Sequence, residues 1–177
     1  MVKATTTVTR MIITDDTPMS VSIEMKANAT VLLNDVEAIR HHMHSAGPYI
    51  LVAHAIELLL KAYSRGVVAT KNIRKRENLS HNLEMALDVA VKDGLVLSDP
   101  RTEDIVKALS YAVEDAKLRY IFSFKDLPTA SDCLQVGRAL LNDISVLVKP
   151  ETPSEIRARR KKEKEEAEKR KRRPRLP

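Results

Sequence analysis

One pair of residues in this chain has the types and the spacing needed for acid–base chemistry on a phosphodiester. Arg76 and His81 are separated by four residues, in the segment RENLSH. A histidine can take the proton from a ribose 2′-hydroxyl, and a fixed guanidinium can stabilise the charge that grows on the phosphate. The pair is therefore a candidate site for metal-independent RNA cleavage. The alternative is that His81 lies in the first turn of a helix and packs there, with Arg76 as a solvated loop cation.

A second polar set interrupts the otherwise apolar stretch 48–66. Its members follow at steps of three, four and four residues and so share one helical face: His54, Glu57, Lys61 and Arg65. Glu57 precedes Lys61 by four residues, which is the favourable order for an ion pair. With Arg119 and Tyr120, this set predicts either a polar pocket at the waist of the fold or an internal network of salt bridges.

The other residues able to bind metals or attack substrates predict no further site. His41 and His44 share a face with Glu37 one turn earlier, but no cysteine or second cluster completes a ligand shell, so we favour a solvated helix end. Cys133 lies on an apolar face and is expected in the core. The chain has no Gly-rich phosphate loop, CxxC pair, HExxH motif or GxSxG elbow. We therefore expect no metal and no cofactor.

Five predicted helices must position these residues. The first runs over about 22–45, and the second, 48–66, is apolar on most sides and so belongs at the centre of a bundle. Three more helices are predicted from their starts: Ser80 as the N-cap of the third, Asp99 with Pro100 for the fourth, and Thr129 with Asp132 for the fifth. The fold class is therefore all-α, a five-helix antiparallel bundle.

Three regions follow from this pattern. Residues 1–21 are Thr-rich and predict an extended N-terminal arm, residues 22–149 form the bundle, and residues 150–177 form a basic charged tail. Residues 151–177 hold 12 of the 30 Lys and Arg and 6 of the 24 Asp and Glu, so they account for the whole net charge of +6. The tail can be partly helical through charged pairs four residues apart, but it has almost no apolar face.

The tail is therefore the expected contact for RNA or another nucleic acid. Within it, the contact is expected at the basic end: Lys169, Arg170, Lys171, Arg172, Arg173 and Arg175.

Composition bears on the compartment. A single cysteine excludes an internal disulfide and fits a reducing cytoplasm. The best apolar run is interrupted by Glu57 and Lys61, so we expect no membrane span, and no apolar signal core follows the N-terminal basic residue. We expect a cytoplasmic protein.

Three stretches together resemble the HEPN superfamily of helical-bundle proteins: AHAIELLLKAYSRG, LSHNLEMALDVAVKDGL and KLRYIF. Glu57, Leu58 and Lys61 match the ExxxK pattern of the second helix in one branch. His81 and Leu83 match the later Gly-His-Asp-Leu motif, in which Ser80 and Asn82 replace the Gly and the Asp. Arg119-Tyr120 resembles the Arg-Tyr that is often found late in the fourth helix. The resemblance covers about residues 25–148.

The resemblance implies a helical bundle, a homodimer, and an RNA- or nucleotide-linked role in toxin–antitoxin or defence systems. Active members are metal-independent endoribonucleases with an Arg-x4–6-His motif, which Arg76 and His81 fit in spacing. Glu77 departs from the motif, because Asn, Asp or His usually follows the Arg. The leading hypothesis is a protein that acts by binding. The alternatives are an endoribonuclease that uses Arg76 and His81, and a non-catalytic interaction protein whose tail meets an acidic partner.

Overall fold

Five helices make up the part of the chain that the structure describes. This computed structural model describes residues 18–39, 45–67, 82–114 and 127–150, with positions 152, 154, 157, 158 and 161 of the tail. The helices are α1 (Pro18–Ala38), α2 (Ala46–Gly66), α3 (Leu83–Lys92), α4 (Thr102–Glu114) and α5 (Ala130–Leu147). No strand occurs within these ranges. The predicted all-α bundle is confirmed.

Helix α2 is the centre of the bundle, as its apolar sequence predicted. It packs against each of the other four helices. Its side chains on the inward faces are fully or almost fully buried, among them Val52, Ile56, Leu59 and Leu60. Because α2 contacts all four other helices, the buried side chains of the described residues form one continuous core.

The contacts fix the direction of each helix. The end of α2 meets the start of α1, since a Cβ built on Gly66 would lie 3.0 Å from Ser22. The Lys26 ammonium near the start of α1 donates to the carbonyl of Val148, just after α5, at 2.5 Å. Helix α1 is therefore antiparallel to both α2 and α5. Helices α3 and α4 are also antiparallel, because the start of α3 meets Ser110 near the end of α4.

Two tyrosines connect α2 to the segments around it. The Tyr63 hydroxyl donates to the carbonyl of Asp93, after α3, at 3.1 Å. The Tyr49 hydroxyl donates to the carbonyl of Pro128, before α5, at 3.0 Å. Burial raises the pKa of both hydroxyls above the usual value, with the Asp93 carboxylate adding to the shift at Tyr63. The rings fill the core while the hydroxyls satisfy loop carbonyls.

Three predicted helix starts were wrong by a few residues. Helix α1 begins at Pro18 and so includes the last four residues of the predicted arm, because proline fits the first helical position. The N-cap of α3 is Asn82 rather than Ser80, and its Oδ1 accepts from the backbone N–H of Met85 at 2.6 Å. Helix α4 begins at Thr102, two residues after Pro100.

Two other helix starts agree with their predictions. Thr129 is the N-cap of α5, and its hydroxyl accepts from the N–H of Asp132 at 3.1 Å. Helix α2 begins at Ala46, within two residues of its predicted start, and ends at Gly66 as predicted. The rest of the arm, residues 1–17, lies outside the described residues.

Candidate functional site

The polar line predicted on the central helix lies at an accessible edge of α2. We call this edge, formed by Ile50, His54, Glu57 and Lys61, the α2 edge. Ile50 is 43% exposed, and the side chains of His54 and Lys61 are 56% and 36% exposed. The residues between them, Ala55 and Ile56, are fully buried. The helix therefore buries most of its surface and leaves this one line open to solvent.

Glu57 is the exception on this line, since it is only 8% exposed. The Lys61 ammonium donates to Glu57 Oε1 at 2.5 Å, one turn further along the helix. Nδ1 of His54 lies 3.9 Å from Oε2 of the same carboxylate, beyond hydrogen-bonding distance. An almost fully buried carboxylate thus has a cation on one side and an imidazole on the other.

This geometry combines features of the two alternatives that the sequence left open. The Glu57–Lys61 ion pair is formed, as a structural network requires. It lies at the surface, however, where His54 and Lys61 can still offer N–H donors to a ligand. Lys61 and Glu57 neutralise each other, so this pair adds no net charge to the α2 edge. The α2 edge therefore presents exposed N–H donors of His54 and Lys61 beside a carboxylate that is already paired.

The other predicted site residues lie outside the part of the chain that the structure describes. Arg76 and His81 lie in the segment 68–81, and Arg119 and Tyr120 in the segment 115–126, both outside the described residues. The same holds for the basic end of the tail, Lys169 to Arg175. These residues remain predictions.

A buried hydroxyl organises the start of α3, next in the chain to His81. Ser110 of α4 is 2% exposed, and its Oγ accepts from the N–H of Leu83 at 3.1 Å. The same Oγ accepts from the N–H of Glu84 at 3.4 Å, so with the Asn82 cap three of the four N–H groups that a helix start leaves without partners are satisfied. No local pattern in the sequence indicates this role for Ser110, because the interaction joins residues 27 positions apart.

Arg101 joins the α3–α4 connection to the start of α5. Its guanidinium donates to Asp99 at 2.8 Å, to Asp132 at 3.0 Å and to Gln135 at 3.1 Å. The side-chain hydrogen bond from Arg101 lowers the pKa of the Asp99 carboxyl. Each of the three guanidinium nitrogens of Arg101 donates to a partner within the protein, which indicates a structural role for this cluster.

Charge is unevenly distributed, which the sequence prediction missed by treating residues 1–150 as one neutral body. The four described ranges between residues 18 and 150 hold 13 Asp and Glu but 8 Lys and Arg, a net charge of −5. A count by segment would have found it. The described helices therefore repel a polyanion overall, and attraction must come from particular basic surfaces.

Several chemistries receive no support from the described residues. Across those ranges, no group of three or more His, Cys, Asp or Glu side chains is placed to hold a metal ion. The His41–His44 cluster lies outside them. Cys133 is fully buried, and burial raises the pKa of its thiol to about 12, so it is not a nucleophile at neutral pH. None of the described helices combines the length and apolar character that a membrane span requires.

Comparison with protein-family models, with curated proteins and with solved structures finds no match to this chain.

Proposed function

We propose that this protein is a HEPN-like helical bundle that acts by binding, with an RNA- or nucleotide-linked role in a toxin–antitoxin or defence setting. Two things support the class: the resemblance of residues 25–148, and an all-α bundle in which the ExxxK helix is central. The biological setting and a homodimeric state rest on the resemblance alone. A cytoplasmic location is proposed from the cysteine content.

The observation that carries the proposal is the α2 edge. The resemblance assigns Glu57 and Lys61 to a motif, and both lie on the accessible line of a helix that is otherwise buried. An exposed imidazole adds nothing to the stability of a structural ion pair beside it, whereas it adds an N–H donor to an anion-binding surface. His54 and Lys61 would contact phosphate oxygens, while Glu57 holds the Lys61 side chain in place.

The basic tail supplies the second part of the mechanism. Its Lys and Arg residues would attract nucleic acid without sequence preference, with a strong dependence on salt. The α2 edge would then set the position of the bound strand on the bundle. The tail would then supply most of the binding free energy, and the α2 edge would supply a smaller part through local contacts.

The test is binding of a short single-stranded RNA to the full chain, with His54→Gln/Lys61→Gln as the variant. We expect weaker binding by about three- to tenfold, which corresponds to about 0.7–1.4 kcal/mol. Lys149→Gln, which removes one exposed cation just after α5 and away from the α2 edge, is the matched control and should change affinity less. Equal losses in the two variants would remove the α2 edge from the proposal.

The same samples test the alternative endoribonuclease, for which the motif spacing of Arg76 and His81 is the support. In that case the RNA is cleaved in the presence of a chelator, cyclic phosphate ends appear, and both Arg76→Ala and His81→Ala abolish cleavage without unfolding. Binding without cleavage favours the leading proposal. If the full chain neither binds nor cleaves RNA, the third reading gains, that of an interaction protein whose tail meets an acidic partner.

A further inference from the structure

The α3–α4 pair presents an outer face that no described helix covers. We call it the α3–α4 face. Its side chains are all exposed, from Glu84, Asp88 and Val91 on α3 and from Glu103, Asp104, Lys107 and Tyr111 on α4. Glu84 lies 3.7 Å from Lys107, which shows that the two rows are neighbours. The opposite sides of both helices are buried in the core.

The chemistry of this face is acidic with apolar and aromatic surface between the charges. Four carboxylates stand against two ammonium groups, those of Lys107 and of Lys92, which follows Asp88 by one turn. Tyr111 is 65% exposed, and Val91 lies beside Asp88 on the helical surface. Arginine side chains suit such a surface, because a guanidinium can pair with a carboxylate and also stack on an aromatic ring.

The chain itself contains a segment of matching chemistry. Residues 169–175, KRKRRPR, hold six cations and no anion. The described helices carry a net charge of −5 and the tail carries +6, so the two parts of the molecule attract each other.

The segment is also within reach. The N–H of Ser98, in the α3–α4 connection, donates to Asp143 on the last turns of α5 at 3.0 Å. Helix α5 therefore ends close to this connection. Lys169 follows Lys149 by twenty positions, which spans about 30 Å as a helix and more if extended, while α3 is only about 15 Å long.

We propose that residues 169–175 dock on the α3–α4 face of their own chain. This face then competes with nucleic acid for the cations of residues 169–175. The described tail residues Arg157, Ala158 and Lys161 are exposed, so the first part of the tail would bridge through solvent. Docking itself stands independently of the proposed function, and only the competition rests on it.

The contact is measured in the full chain with a nitroxide at Ala167→Cys. The native thiol of Cys133 is buried, so the label attaches at the introduced position. We expect paramagnetic broadening of amide signals in 84–91 and 103–111, lost at about 1 M salt, where the Debye length is about 3 Å. Residues 24–35 on α1 are the internal control. An absence of broadening on α3–α4 at low salt overturns the proposal.

Mixing nitroxide-labelled protein with isotope-enriched protein that carries no nitroxide separates docking within one chain from docking between two copies. Broadening that appears only within one chain supports docking as proposed. Broadening that passes to the unlabelled chains overturns it in favour of tail exchange between two copies.

Competition is measured as affinity for a single-stranded RNA. Asp88→Asn/Asp104→Asn should tighten binding at least about threefold more than Glu24→Gln/Asp35→Asn, which removes the same charge from the exposed side of α1. Equal gains in both variants overturn competition. If the contact forms but the full chain binds no nucleic acid, docking is supported and the proposed function fails.

Discussion

At the scale of single residues, Glu57 is intermediate between a core residue and a surface residue. Its carboxylate is almost fully buried, but its partner Lys61 keeps about a third of its side chain in solvent. A fully buried pair loses roughly 3–5 kcal/mol when one partner is removed, and an exposed pair roughly 0.2–1 kcal/mol. The Glu57–Lys61 pair should lie between these limits, because water can still reach Lys61 after the carboxylate is gone.

Glu57→Ala is therefore expected to lower the free energy of unfolding by about 1–2 kcal/mol, measured by denaturant unfolding. Glu84→Ala is the matched control, since Glu84 also faces a lysine, at 3.7 Å, but with both side chains exposed. Its loss should stay within about 0.5 kcal/mol. Similar losses in the two variants would show that the α2 edge is fully solvated.

The spacing of Glu57 and Lys61 predicted their pairing but not their burial. Pairing follows from the helical repeat, which the sequence contains. Burial depends on which neighbours pack beside α2. His54 precedes Glu57 by three residues, a spacing that also allows an ion pair. Its Nδ1 nevertheless lies 3.9 Å from Glu57 Oε2, and its side chain is exposed.

Helix packing at the scale of elements depends on one close approach between α1, α2 and α5. A Cβ built on Gly137 of α5 would lie 2.8 Å from Leu33 Cδ2 and 3.6 Å from Val52 Cγ1. Leu33 is fully buried, so its side chain has little space into which to move. The glycine therefore sets how closely α5 can approach α1.

Gly137→Ala should destabilise the protein by about 1–2 kcal/mol, because overpacking outweighs the gain in helix propensity. Gly47→Ala is the control, since its Cβ would meet only the Ser45 hydroxyl at 3.8 Å. That variant should be neutral or slightly stabilising, by about 0.5 kcal/mol. Thermal unfolding of both reads the difference, and a neutral Gly137→Ala would mean that α5 shifts without cost.

The helices were largely readable from the sequence, but some of their starts were not. Helix α2 and the Thr129 cap of α5 follow from apolar period and local capping chemistry. At α3, Ser80 and Asn82 are both good caps, so local chemistry could not choose between them. Ser110 of α4 accepts from the N–H of Leu83, and this tertiary contact accompanies the start after Asn82.

At the scale of the whole molecule, the described ranges are acidic and the remaining residues are basic. The four described ranges are net −5, and the remaining residues together carry +11. Most of that excess belongs to the tail, with a further part in the Arg76 segment, residues 68–81. Because the described ranges are acidic overall, a polyanion is attracted only where cations are concentrated, so the tail and this segment are the two candidates for nucleic-acid contact beyond the α2 edge.

Cutting the chain after Pro150 separates these candidates. The melting temperature should hardly change, because the described tail positions 152, 154, 157, 158 and 161 are all exposed, and the contact of Lys26 with Val148 is retained. Binding to single-stranded RNA should weaken strongly. Each phosphate neutralised contributes about 0.7 to the salt slope, so losing the six cations of 169–175 should flatten it by about 4.

The acidic residues at 163, 165, 166 and 168 lie within the same tail and should hold its remaining cations back from the RNA. A shorter cut, after Glu168, tests this and should remove nearly the whole effect of the longer one. Fluorescence anisotropy at several salt concentrations gives both affinity and slope. Should the chain cut after Pro150 bind as tightly as the full chain with the same slope, the tail has no part in binding, and the segment with Arg76 becomes the better candidate.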